Sequence, residues 1–194
     1  DLTDYIKLYK LDAITLAKTL TGAVIEQTGI CATVGVGTNM YLAKIALDIT
    51  AKRSPDFIGY LDEELYKKTL WDHKPLTDFW NIGNGISARL QRFGATTMRG
   101  ITKLPESVLY KEFGVNAEFI IDHAHGKESC TIKDIKEYKS KNHSLSSGQV
   151  LFSDYEVSDA SLVLKEMVFN LVLKLVKNVS QNKSLCYNHL SEVH

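Results

Sequence analysis

One short stretch constrains the fold more than any other: Ile30-Cys31-Ala32-Thr33-Val34-Gly35-Val36, β-rich, bounded by glycines and set between two helical patterns. Upstream, Asp12 is placed to cap a helix through Ala13, Leu16, Ala17, Leu20 and Val24 that ends near Gly29. Downstream, Gly37-Thr38-Asn39 turns the chain into a second helix, with Leu42, Ile45, Ala46 and Ile49 at helical spacing. Helix, strand and helix in so few residues predict a sheet covered by helices on one face, an α+β or α/β arrangement.

Residues 55–59 break this unit. Beyond them the spacing predicts short helices over 62–71, 76–80, 87–93, 98–102, 105–112 and 117–125, an all-helical subdomain. Residues 126–143 alternate lysine with acidic residues and read as a tether. A strand over 149–152 then leads to a helix capped at Ser158 and running to about Lys177. That helix is apolar on nearly every side, through Leu162, Val163, Leu164, Met167, Val168, Phe169, Leu171 and Val172. It needs a sheet on one side and a further partner on the other. Residues 180–194 carry no clear pattern.

Composition sets outer limits. A chain of 194 residues, 44% hydrophobic and 24% charged, fits one ordinary globular domain or two small ones. No apolar run reaches the roughly 18 residues needed to span a bilayer, and the first residues are not a signal peptide. Without an initiator methionine, the chain is expected to be cut from something longer. Cys31, Cys130 and Cys186 are widely spaced, which fits a reducing cytoplasm. The net charge is zero, yet residues 79–105 hold Arg89, Arg92, Arg99 and Lys103 with no acid among them. A locally basic segment of this kind can grip phosphates.

The most informative chemistry lies in residues 76–95. A helix, a tight turn with Gly83 and Gly85, a second helix and a closing Gly94 make a helix-hairpin-helix pattern. Glycine permits a sharp turn with positive φ and leaves room for a DNA strand. The amides opening the second helix then face an anion, and its dipole favours a phosphate. Arg89 and Arg92 on that helix add mobile positive charge. The alternative is an ordinary αα-hairpin whose glycines only close the turn. A weaker second copy lies at residues 112–117, where the ordinary turn is the better reading.

Residues 35–44 suggest a glycine-rich nucleotide loop but lack both the third glycine and a Gly-Lys-Ser/Thr ending. What remains is a strand, a turn and a helix carrying Lys44 and Lys52. On pattern alone, dipole and solubility roles outweigh ligand binding for both lysines. His123, His125 and Cys130 read as solvated and not as a metal cluster, and Tyr41, Trp71 and Trp80 as core or interface aromatics.

Taken together, these motifs resemble the Y-family (translesion, UmuC/DinB-like) DNA polymerases. Residues 34–39, followed by Leu42-Ala43-Lys44-Ile45-Ala46-Leu47-Asp48, look like that family's palm segment with its "N-x-x-L-A-K-x-A-x-D" pattern. Residues 75–83 are similar to its thumb helix-hairpin-helix, with Asn81 at or beside the usual first glycine, and residues 144–150 to the start of its little finger. The resemblance implies an α+β fold: the C-terminal part of a palm over 1–60, a helical thumb over 61–126, a linker over 127–143 and an incomplete little finger over 144–194. It implies that Lys52 and Lys44 bind nucleotide, and that Ile82, Gly83, Gly85, Arg89 and Arg92 bind DNA. Asp48 looks structural.

The family's chemistry is two-metal phosphoryl transfer on carboxylates in an N-terminal strand and an S-x-D-E motif. That motif is expected just upstream of Asp1, so no catalytic or metal residue is assigned in this chain. Mg²⁺ is expected in the full-length enzyme and none on this segment, which alone should not transfer nucleotides. The implied partners are a primer–template duplex bound without regard to sequence and dNTP, in a bacterial cytoplasm and away from membranes. A sliding clamp and a dimer through the 158–177 helix are carried as further expectations. The rival reading is a non-enzymatic helix-hairpin-helix DNA-binding or scaffold protein.

Overall fold

The computed structural model describes residues 2–139 and 144–190, with 178–190 as helix backbone only. The chain divides into two compact units, Asp1–Tyr138 and Lys139–His194.

In the first unit, α1 (Thr3–Tyr9) precedes α2 (Ala13–Thr28). Asp12 caps α2 as its sequence position predicts, accepting hydrogen bonds from the Ile14 and Thr15 amides at 3.0 and 2.9 Å. Gly29 closes the helix in the left-handed conformation, φ 70°. Strand β1 is Val34–Gly37, shorter than the expected 30–36 because Ile30 is exposed and has no neighbouring strand to pair with. Helix α3 (Met40–Ile45) follows, capped by the Asn39 side chain, which accepts from the Leu42 amide at 2.8 Å. It runs on as a π-turn over Ala46–Thr50 and a 3-10 turn over Ala51–Arg53.

Residues 55–59 do not merely break the unit. Strand β2 (Ile58–Leu61) pairs in parallel with β1, Val34 opposite Ile58 and Gly37 opposite Leu61. A four-residue strand containing a glycine offers too little alternation to be recognised before its partner is known. The sheet has these two strands alone among the described residues, so the architecture is α+β, mostly helical with a small sheet. Glycines let α3 and its π-turn lie directly on that sheet. A Cβ on Gly35 would overlap the Ala43 carbonyl oxygen and the Leu47 amide nitrogen, and one on Gly59 would sit 2.8 Å from the Ala51 amide nitrogen.

Short helices α4 (Glu63–Thr69), α5 (Asn84–Arg92), α6 (Met98–Ile101), α7 (Glu106–Phe113) and α8 (Ala117–Ala124) complete the unit. One hydrophobic core joins them to α3: Tyr41, Leu42, Ile45 and Ile49 share it with Tyr66, Phe79, Leu90, Met98, Leu109 and Ile120. The carbonyls ending α8 receive donors from distant residues: Tyr66 Oη to His123, Trp71 Nε1 to Ala124, and Asn39 Nδ2 to Gly126, at 3.0, 2.7 and 2.9 Å. Part of the expected tether is helical, α9 (Ile132–Glu137), because Thr131 and Asp134 form a reciprocal capping box.

In the second unit, the expected strand over 149–152 is absent. Val150 and Phe152 are fully exposed and no described strand lies beside them. Helix α10 (Val157–Leu190) runs past the expected end near Lys177. Its apolar residues, among them Leu162, Val168, Phe169 and Val172, stand exposed. Among the described residues, no helix is long and apolar enough to cross a membrane.

Candidate nucleic-acid interface

The hairpin before α5 is seated by buried side chains. Leu76 lies in a 3-10 turn over Leu76–Asp78, and Leu76, Phe79 and Ile82 are all buried while Trp80 faces partly outward. The first arm is therefore one 3-10 turn and not the helix expected over 76–80. Ile82 acts as an anchor, its amide donating to the Phe79 carbonyl at 3.1 Å.

The turn differs from expectation in one instructive way. Positive φ falls on Asn81, at 66°, and not on a glycine. Asparagine is among the few L residues that visit this region readily, so it can stand where glycine is usual. Gly83 is extended, with φ −81° and ψ 176°, and serves as the N-cap of α5. Gly85 lies in the first helical turn and has no positive φ. A Cβ added at either glycine would meet nothing within 4 Å. Neither backbone strain nor internal crowding requires glycine there. No side chain caps α5, so its first-turn amides lie uncapped beside open space.

The cations are less free than their sequence neighbourhood implies. Arg89 donates from Nε to Glu112 Oε1 at 2.7 Å and from Nη2 to the Glu112 carbonyl, and its guanidinium lies 4.4 Å from the centre of the Phe113 ring. It is a strut between α5 and α7, not mobile charge. Its guanidinium holds the Glu112 carboxyl below the usual carboxylate range. Arg92 is mostly exposed, with Nη2 3.9 Å from the same carboxylate. Arg99 pairs with Asp72 at 2.8 Å and stacks on Trp71. The acid-free stretch of sequence thus meets acids in space, and Arg92 is the more available cation of α5.

Gly114, in the weaker second copy, has φ 59° and ψ −138°, a conformation that itself calls for glycine. The second candidate pair, Lys44 and Lys52, lies along α3 and its continuation. Lys44 Nζ is 3.0 Å from Asp48 Oδ2, and Lys52 Nζ is 4.0 Å from Asp48 Oδ1.

His123 overturns its solvated reading. It is buried, stacked on Tyr41 at 3.9 Å and near Trp80, with Nε2 3.1 Å from Glu128 and Nδ1 without a partner. Burial pushes its pKa below the ordinary 6.5, against the opposing pull of Glu128. The neutral ring is favoured in the folded state. Stability is full above about pH 6.5 and falls as pH drops towards the folded pKa, because the unfolded chain binds the proton first. Urea denaturation at pH 7.5 and 5.5 should show this loss, and His123→Phe should reduce it.

Mg²⁺ favours octahedral oxygen ligands, most often carboxylates. Among the described residues no group of three or more His, Cys, Asp or Glu side chains converges to hold an ion, and Asp48 already faces two lysines. The described residues therefore do not fit a magnesium centre.

Residues 1–48 match the model of the impB/mucB/samB family. The chain is similar to the DNA repair protein homolog YobH of Bacillus subtilis, 32% identical over 140 residues covering 72% of this chain and 64% of that protein. It is also similar to DNA polymerase IV 2 of the same organism, 29% identical over 84% of this chain and 38% of the relative. Among solved structures, an insertion ternary complex of Dbh DNA polymerase superposes with TM-score 0.52 and 27% identity, over 61% of this chain and 34% of that one. The chain thus spans between about a third and two thirds of the length of the proteins it matches. Family match, relatives and fold agree in what the chain is similar to: residues 1–48 match the impB/mucB/samB family, and the chain resembles Y-family DNA polymerases in sequence and fold.

Proposed function

We propose that this chain supplies the DNA-backbone grip and part of the triphosphate site of a translesion DNA polymerase, an enzyme that copies past damaged template. In this reading residues 1–60 close the palm, 61–126 form the thumb, 127–143 link, and 144–194 begin the little finger. The carrying observation is the pair Gly83 and Gly85. Neither is required by the protein's own backbone or packing, and both border uncapped helix-start amides in open space. A phosphodiester can approach there, accept from those amides and meet the positive end of the helix dipole. Arg92 adds charge beside it. Backbone contacts of this kind hold a duplex without reading its sequence.

Fluorescence anisotropy with two primer–template duplexes of unrelated sequence tests this. Both should bind with equal affinity that falls steeply as salt rises, and with Mg²⁺ and dNTPs present neither primer should be extended by this chain alone. Affinity that depends on sequence or ignores salt would contradict the reading.

The exposed apolar residues of α10 favour a second reading, that this helix pairs with a second copy of itself. Sedimentation should then show concentration-dependent association that Phe169→Glu abolishes. A monomer at all concentrations would remove the dimer.

A further inference from the structure

Among the described residues, Asp48 is the one carboxylate facing both lysines of the proposed triphosphate site. Lys44 stands four residues before it and Lys52 four residues after, at 3.0 and 4.0 Å. In a regular α-helix each four-residue step overshoots a full turn by about 40°. The π-turn over Ala46–Thr50, which closes on a wider ring, turns less per residue and takes back part of that drift. Its support is rigid: Ala46, Ile49 and Ala51 are buried, and Gly35 and Gly59 admit the turn onto the sheet.

The three side chains are 41%, 27% and 64% exposed in chain order, where ion pairs add little to folding stability. The arrangement therefore has small value as a stability device. Its geometric consequence is larger. Lysine ammonium groups carry three donors on flexible stems. Lys44 holds Asp48 with one donor at 3.2 Å, Lys52 stands in ion-pair range at 4.0 Å, and both keep donors to offer a phosphate oxygen.

We propose that Asp48 is a positioning residue that converges the Lys44 and Lys52 ammonium groups into a two-point clamp for a polyphosphate, with the π-turn keeping both on one face. The proposal rests on the reading of these lysines as triphosphate contacts. It makes a prediction of unusual sign. If Asp48 were only a repelling charge beside an anion, removing it would tighten binding; as a positioning residue, its removal weakens binding.

Two measurements on the whole chain separate the possibilities. In ligand-free protein, lysine ammonium NMR signals of Lys44 and Lys52 should move in Asp48→Asn while those of other lysines stay. Unmoved signals overturn the convergence whatever the ligand does. In titrations with inorganic tripolyphosphate, Asp48→Asn should weaken binding about 5- to 10-fold with an unchanged amide spectrum, and Asp48→Glu should restore it to within about twofold. Equal or tighter binding by Asp48→Asn overturns the positioning role and leaves the lysine reading standing. If Lys44→Gln and Lys52→Gln both bind tripolyphosphate like the parent, the lysine reading itself fails, and the clamp with it.

Discussion

Gly35→Ala is expected to destabilise the first unit by about 3 kcal/mol or more, a large share of the roughly 5–15 kcal/mol that holds a domain of this size. The added methyl would overlap the Ala43 carbonyl oxygen and the Leu47 amide nitrogen, both main-chain atoms of the helix packed on β1. A flexible side chain could swing aside; a helix backbone cannot. Relief requires lifting α3 and its π-turn off the sheet, and with them the buried Tyr41, Leu42, Ile45, Ala46 and Ile49. Urea denaturation measures the loss. Gly83→Ala is the control, because its Cβ meets nothing within 4 Å. Alanine is a poorer N-cap than glycine but also restricts the unfolded chain, so it should change stability by no more than about 1 kcal/mol. A Gly35→Ala protein within 1 kcal/mol of the parent would mean the strand and helix are not packed as described.

The second large effect concerns binding and separates it from folding. Gly83→Asp places a good capping residue at the N-cap of α5, so stability should hold or rise by a few tenths of a kcal/mol. The same carboxylate would occupy the first-turn amides and repel a phosphate. Losing one charge-assisted contact costs about 1.5–3 kcal/mol, so duplex affinity should fall roughly 10- to 100-fold. Anisotropy and a thermal melt on the same sample read both quantities. A protein that melts as expected and still binds duplex at parental affinity would exclude the hairpin as the contact.

Much of the helical framework was legible because short-range rules govern it. Asp12 and Gly29 bracket α2 as their chemistry dictates, and Leu42, Ile45, Ala46 and Ile49 are buried or nearly so along one helical stripe. Features that depend on distant partners were not legible. Strand β2 has only four residues and becomes a strand by pairing with β1. At 149–152 a similar β-rich run finds no described partner and stays irregular.

The candidate site shows the same division. Gly83 and Gly85 stand out by residue type alone, yet their reason differs from the expected one: Asn81 makes the left-handed turn, and the glycines leave open space. Asparagine at that position was the available signal. Arg89 looked like free charge because Glu112 lies 23 residues away in sequence and touches it only after folding. The four-residue spacing of Lys44, Asp48 and Lys52 marks two helical ion pairs in the sequence, whereas the π-turn beneath Asp48 shows only in the fold.

Amide chemical-shift mapping of the labelled chain against a primer–template duplex tests the central claim most directly. Binding through the α5 hairpin predicts that the Gly83, Asn84, Gly85 and Ile86 amides shift most, that Arg92 follows, and that added salt reverses all of these together. Duplex binding that leaves those four amides unmoved while shifting residues elsewhere would contradict the account.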